Sequence, residues 1–179
     1  MYRVAKSLVT AAVSVVLVGT SASAPASATS VASGSRSLCA SATFSCVSAS
    51  GYRGQSTWGS WGPGHNCVSY VAYRLAHNGA RDPWTTVAHD AKRWDEDARS
   101  VGVRVNKVPA VGAIAQWDGG RYGHVAYVER VTASFIVVSE DSYISDTSGY
   151  SAVRRISRGT AEFAAADFLH FHDVAPAHR

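Results

Sequence analysis

The chain has 179 residues, a formal net charge of +4 and 46% apolar residues. That length fits one globular domain, and the charge is too small and too evenly spread to mark a nucleic-acid binder. A mild basic excess suits an anionic surface such as a bacterial wall. The N-terminus reads as an export signal over residues 1–28. Arg3 and Lys6 form a basic start, Leu8 to Val18 is an apolar run, and Ala26-Ser27-Ala28 is a small-residue cleavage signature. The apolar run is too short to span a bilayer, and no later stretch has the length of a membrane anchor. Cleavage after Ala28 removes two of the positive charges, which lowers +4 to about +2. It also places the mature chain outside the cell or at its wall.

Residues 29–50 are rich in Ser, Ala and Thr and carry little periodicity, so they read as a loosely ordered arm. The chain has three cysteines, Cys39, Cys46 and Cys67. An odd count in an exported chain leaves a free thiol or an intermolecular bridge. The short loop between Cys39 and Cys46 favours their pairing, with Cys67 reduced. The rival pairing of Cys46 with Cys67 stays open and would disable the proposed site. The folded domain is expected over 51–174, followed by a tail at 175–179.

Gly51 to Gly64 is a loop, with Trp58 and Trp61 among its glycines. From Cys67, apolar residues recur at Val68, Val71, Ala72, Leu75 and Ala76, one face of a helix. Asn66 is its N-cap and Gly79 its stop. Thr85 or Thr86 is expected to cap a second helix running to about Asp97, with Val87, Ala88, Ala91 and Trp94 inward. Its charged residues form a solvated face. After Gly102 the pattern turns to strands. Val101, Val103 and Val105 alternate, and Ala113 to Trp117 reads as a buried strand. His124 to Glu129 and Ser134 to Glu140 form a hairpin through residues 131–133. Ser151 to Ile156 is a further strand, and Phe168 to His172 a last edge strand. Helices first and strands later predict an α+β fold, with helices packed on one side of an antiparallel sheet.

Cys67 at a helix start meets unpaired N–H groups and the positive end of the macrodipole, both of which favour a thiolate. A cysteine nucleophile also needs a base and a group that orients the base. His124 opens a strand after a turn, and a hairpin brings Glu140 back beside it. A carboxylate on one ring nitrogen favours the imidazolium that pairs with a thiolate. His65 is a rival base, two residues from Cys67. His77 and His89 fall on helices. His170, His172 and Asp173 hint at metal binding, but two histidines and one acid make no complete ligand motif. No metal or cofactor is expected.

These residues carry a resemblance. The run His65-Asn66-Cys67-Val68-Ser69-Tyr70-Val71-Ala72-Tyr73-Arg74, with Gly123-His124-Val125-Ala126-Tyr127-Val128 and Ser139-Glu140-Asp141-Ser142-Tyr143, resembles the CHAP family of cysteine, histidine-dependent amidohydrolases and peptidases. The likeness covers about Tyr52 to Asp173. It implies a papain-like α+β fold and cleavage of peptidoglycan amide bonds, by a muramoyl-alanine amidase or a stem-peptide endopeptidase. On that likeness Cys67 attacks, His124 moves the proton, Glu140 orients His124, and the Cys67 backbone N–H helps hold the oxyanion. The family often has glutamine before its cysteine, where this chain has Asn66, and asparagine two positions after the glutamate, where it has Ser142. Members that bind calcium do so through acids upstream of the cysteine. Residues 51–66 contain no Asp or Glu, so no such site is expected. Trp58, Trp61 and Trp117 are the expected aromatic walls, with Asn66 and Ser142 in support. The partner is then peptidoglycan peptide and the working form a monomer. The alternative is a non-catalytic secreted wall-binding module on the same fold.

Overall fold

The protein is described from a computed structural model, over residues 35–54, 65–80, 90–142 and 151–174. Its centre is a seven-stranded sheet in which every pairing is antiparallel. The strands are β1 (Ser35–Ser41), β2 (Val105–Asn106), β3 (Ile114–Trp117), β4 (His124–Val131), β5 (Phe135–Glu140), β6 (Ser151–Ser157) and β7 (Asp167–Leu169), in the spatial order β1-β6-β5-β4-β3-β7-β2. Among the described residues three α-helices accompany it: α1 (Cys67–His77), α2 (Trp94–Ser100) and α3 (Ala161–Ala165). The α+β class is as expected, with the cysteine helix packed across an antiparallel sheet, but the helices do not all lie on one side: α3 packs on the face opposite α1.

Helix α1 forms where its local signals put it. The Asn66 side chain accepts from the Ser69 N–H at 2.8 Å, which satisfies one of the orphan donors of the first turn. Gly79, at φ +82, lets the chain turn away after Asn78. Val68, Ser69, Tyr70, Val71, Ala72, Tyr73 and Leu75 are all buried, so the helix is enclosed on most sides. It packs on Ile114, Val125, Tyr127 and Leu169 of the sheet, and on Val47, Tyr52 and Trp94. Each fully buried aliphatic there contributes about 2 kcal/mol. Arg74 is the exception on this helix. It pairs with Glu129 of β4 through both terminal nitrogens and lies 3.9 Å from the Tyr127 ring centre. The other sheet face carries Ala115, Ala126, Val128, Ile136, Val138, Ile156 and Phe168, with Phe163 of α3 packed against it.

The structure departs from the sequence reading in several places. Residues 35–41, expected in a loosely ordered arm, form β1, paired with β6 from Ser35↔Ile156 to Ser41↔Ser151. A Cys39–Cys46 disulfide ties β1 to a 3₁₀ turn at Phe44–Cys46. Cys67 is free. The expected caps Thr85 and Thr86, with Val87 and Ala88, lie outside the described residues. The helical stretch that is described begins with a 3₁₀ turn at Ala91–Arg93 and runs to Ser100, past Asp97. Ala91 and Trp94 face inward as expected. The alternating valines after Val101 give only the two-residue β2. Strand β7 is not an edge: it pairs with β3 on one side and β2 on the other, and it ends at Leu169. Helix α3 has five residues, too few for a periodic signal. Among the described residues no helix is long and apolar enough to cross a membrane.

Candidate active site

Asn66 has extended backbone, at φ −161 and ψ 179, and its side chain turns back to cap the helix. Extended backbone sends alternate side chains to opposite sides, so His65 and Cys67 leave the chain on the same side. Cys67 is the first residue of α1, half-exposed and unbridged.

His124 is fixed by the turn before it. Gly123 sits at φ +73, and a Cβ there would lie 2.4 Å from the Lys92 backbone nitrogen. That nitrogen donates to the Tyr122 carbonyl at 3.0 Å. The turn is thereby seated on the 3₁₀ turn at Ala91–Arg93, and only glycine fits. His124 opposes Trp117 in the ladder, and the two rings stack with centres 6.0 Å apart. In an antiparallel pair, opposed residues share a face. Ala152 opposes Glu140, and Val138 opposes Arg154. Trp117, His124, Glu140 and Arg154 therefore gather on the α3 side of the sheet, at one end of it.

His124 Nε2 lies 2.6 Å from Glu140 Oε2. The other ring nitrogen is left for Cys67, whose sulfur is near enough to help hold the proton on the ring. The imidazole keeps 22% of its side-chain exposure, whereas Glu140 has none. Burial alone would strip the proton from His124. Cys67, and then the hydrogen bond to Glu140, outweigh it and push the pKa up to about 10. Burial works against the Glu140 charge as well. The bonds from His124 and then Arg154 prevail and hold its carboxyl below the usual value.

Arg154 was not foreseen. Its Nε donates to Glu140 Oε1, and its Nη2 to Glu140 Oε2 at 3.1 Å. Its Nη1 donates to Glu162 of α3 and, at 2.7 Å, to the Ser35 hydroxyl of β1. A signal for it does exist in the sequence. In β6 the residues Ala152, Arg154 and Ile156 share one apolar face, and an arginine there needs a buried carboxylate.

A second imidazole–carboxylate pair stands close by. His65 Nδ1 is 2.9 Å from Asp141 Oδ2, which also accepts from the Tyr52 hydroxyl at 3.1 Å. Burial first, then Asp141, raises the Tyr52 pKa and keeps that hydroxyl protonated. His65 is thus tied to Asp141, while His124 keeps a nitrogen for Cys67. The structure brings Cys67, His124, Glu140 and Trp117 together. Trp117 donates its indole N–H to the Glu162 carbonyl at 2.9 Å. Asn66 borders the cysteine as its helix cap. Ser142 lies two residues past the end of β5 at φ +54, with its hydroxyl buried and without a hydrogen-bond partner among the described residues. Trp58 and Trp61 lie outside the described residues.

The other candidates are engaged elsewhere. His77 Nδ1 bonds to the Tyr73 carbonyl at 2.9 Å. His170 is held by Asp173 at 2.9 Å and Asn106 at 3.1 Å. Among the described residues no group of three His, Cys, Asp or Glu side chains is set to hold a metal ion. A cavity of about 340 Å³ lies beside α1, lined by Cys46, Tyr70, Arg74, Glu129 and Ser139. None of the residues just assembled lines it, and its two charges satisfy each other.

A helix-borne sulfur, an imidazole and a carboxylate in series at the end of an antiparallel sheet define a cysteine–histidine α+β fold. Residues 55–142 match the profile of the CHAP domain, so the chain carries a CHAP domain over that stretch. Similar proteins include a probable autolysin, SsaALP, of Staphylococcus aureus (strain NCTC 8325 / PS 47). It is 46% identical over 78 residues, covering 43% of this chain and 29% of that protein. The N-acetylmuramoyl-L-alanine amidase sle1 of Staphylococcus haemolyticus (strain JCSC1435) is 36% identical over 96 residues, covering 54% of this chain and 28% of the amidase. A solved N-acetylmuramoyl-L-alanine amidase from Staphylococcus aureus superposes with a TM-score of 0.49 at 25% identity, over 66% of this chain and 33% of that one. The matches span under a third of the length of these curated relatives.

Proposed function

We propose that this chain is an exported peptidoglycan hydrolase that cleaves amide bonds through Cys67. Residues 1–28 act as its signal peptide, and the mature chain works as a monomer at the cell wall. The observation that carries the reading is His124 held at 2.6 Å by the buried Glu140 carboxylate, with free Cys67 near enough to raise the pKa of the ring. An imidazole whose pKa is raised to about 10 holds its proton at neutral pH. That is the state a cysteine hydrolase needs before attack.

In this mechanism the Cys67 sulfur adds to the amide carbonyl carbon. The oxygen of the tetrahedral adduct takes the negative charge and receives hydrogen bonds at the start of α1, the Cys67 backbone N–H among them. His124 gives its proton to the amine nitrogen, the C–N bond breaks, and a thioester remains. Water then adds to the thioester carbon while His124 takes back a proton, and the C–S bond breaks, which frees the carboxylic acid and returns its electron pair to the Cys67 sulfur. Glu140 stays ionised and holds the ring in place. Trp117, stacked beside the imidazole, forms one wall. Amidase relatives carry the same domain, which favours the bond between muramic acid and L-alanine, or a peptide bond of the stem. The test is mass spectrometry of fragments released from purified peptidoglycan by the mature protein. New muramic acid or stem-peptide termini are expected, and none with Cys67→Ala. Equal release by that variant would overturn the reading.

A further inference from the structure

Strand β1 and its disulfide lie before the stretch that the family profile matches. The hydrolytic steps do not use them, yet they reach the site twice. Ser35 of β1 accepts from Arg154 Nη1 at 2.7 Å, and Arg154 grips both oxygens of Glu140, which holds His124. Phe44, in the turn that the disulfide closes, packs edge-on against His65 at 4.7 Å and Tyr52 at 5.5 Å between ring centres. Those two residues hold Asp141, the neighbour of Glu140. Gly54 makes room for this ring, since a Cβ there would lie 2.3 Å from Phe44.

Arg154 is 3% exposed. Its guanidinium is rigid and planar, so a two-point grip leaves Glu140 a single orientation. Its remaining nitrogen is shared between Glu162 and Ser35. If Ser35 withdraws, water reaches that nitrogen, and the guanidinium is freed to turn toward Glu162. Strand β1 itself is weakly held. Among the described residues it pairs on one side only, its register slips between Ser37 and Cys39, and most of its residues are exposed. Little apolar burial anchors it. Beyond its ladder with β6, it is fastened by the Cys39–Cys46 bridge and by the bond from Ser151 Oγ to the Thr43 carbonyl at 2.5 Å.

We propose, resting on the reading of Cys67, His124 and Glu140 given above, that Arg154 is a positioning residue for His124 and that disulfide-fastened β1 sets Arg154. Full activity then requires Cys39–Cys46 to be oxidised. Such bridges form in oxidising compartments and not in the cytosol. The arrangement therefore couples catalysis to export.

The experiment compares the mature protein with Arg154→Gln, Arg154→Lys, Ser35→Ala and the Cys39→Ala/Cys46→Ala double variant. Two quantities are read: kcat and KM on purified wall, and the rate of Cys67 alkylation by iodoacetamide against pH. The groups facing Glu140 are His124 on β4, Arg154 on β6 and, behind it, Glu162 on α3, with Cys67 beyond the imidazole. Arg154→Gln is expected to lower kcat about 10- to 100-fold with KM little changed, as a displaced proton donor does. It should also move the acid limb of the alkylation profile to higher pH, because Glu140 is then protonated more readily. The double variant and Ser35→Ala should move both quantities the same way, by about threefold in kcat. Arg154→Lys should recover only part of the loss, since an ammonium restores charge but not the fork. Circular dichroism confirms the fold, and Ser35→Ala carries the test if the double variant unfolds. An unshifted acid limb with kcat within twofold of wild type, in Ser35→Ala or a folded double variant, overturns the role of β1. The same result in Arg154→Gln overturns the whole proposal. If the wild type releases nothing from wall, the peptidoglycan reading fails, but the alkylation profiles still decide this one.

Discussion

Replacing Glu140 with glutamine isolates the charge in the proposed relay. The side chain keeps its shape and still bonds to His124, but the anion is gone. With Glu140 removed, the His124 pKa falls from about 10 toward the ordinary 6.5. At pH 8 the wild-type ring is almost fully protonated. A ring that fell all the way to 6.5 would be protonated in about one molecule in thirty, so about thirtyfold in kcat/KM is the upper bound of the population effect, and the contribution of Cys67, which stays in place, reduces it. Loss of orientation adds to this. The same shift governs stability. A raised imidazole contributes stability that is complete below 6.5 and lost as pH rises through about 10. A depressed carboxyl contributes stability that is present above its ordinary value and lost as pH falls through its lower folded value. The assay is kcat/KM on purified wall from pH 5 to 11, with denaturant unfolding over the same range. Wild type should lose activity and stability on the alkaline side near pH 10, and Glu140→Gln should lose activity well below that. An alkaline limb at the same pH in both, with activity within threefold, would refute the reasoning.

Gly123→Ala puts a Cβ 2.4 Å from the Lys92 nitrogen at a φ of +73, so the turn carrying His124 must move. A cost of about 2 kcal/mol in chemical unfolding is expected, with a larger proportional fall in kcat. Unchanged stability would show that the turn yields. Arg74→Met leaves Glu129 without its cation, held by the Ser139 hydroxyl at 2.5 Å, and takes a partner from Tyr70 and Ser139. Glu129 is 32% exposed on its side chain, so solvent screening reduces the penalty to about 2 kcal/mol. A change under about half of that, in the same unfolding assay, would mean that water reaches the pair. Dialysis against EDTA should leave wall hydrolysis intact, because the proposed steps use only side chains. Loss on chelation and recovery with zinc would point instead to a metal hydrolase.

Helix α1 was legible because its signals are local: the cap at Asn66, the spacing from Val68 to Leu75 and the stop at Gly79. The His124–Glu140 contact was legible because a hairpin dictates which strand ends meet. Arg154 was harder to see. It becomes meaningful only when β6 lies beside β5, and sequence order alone does not pair a strand across an intervening loop. Strand β1 has no hydrophobic alternation, since it forms by completing the edge of β6 and not by burying a face. The pairing of His65 with Asp141 escaped notice because it rests on alternation at the end of β5, where Glu140 and Asp141 reach different imidazoles. The inner place of β7 depends on how the chain returns after α3, which no local pattern encodes.

The most direct test of the central claim is the rate at which iodoacetamide labels Cys67 at pH 6, in wild type and in His124→Ala. A sulfur that shares its proton with His124 should be labelled at least about tenfold faster in wild type. Equal rates in the two proteins would contradict the account and leave a folded module without a working nucleophile.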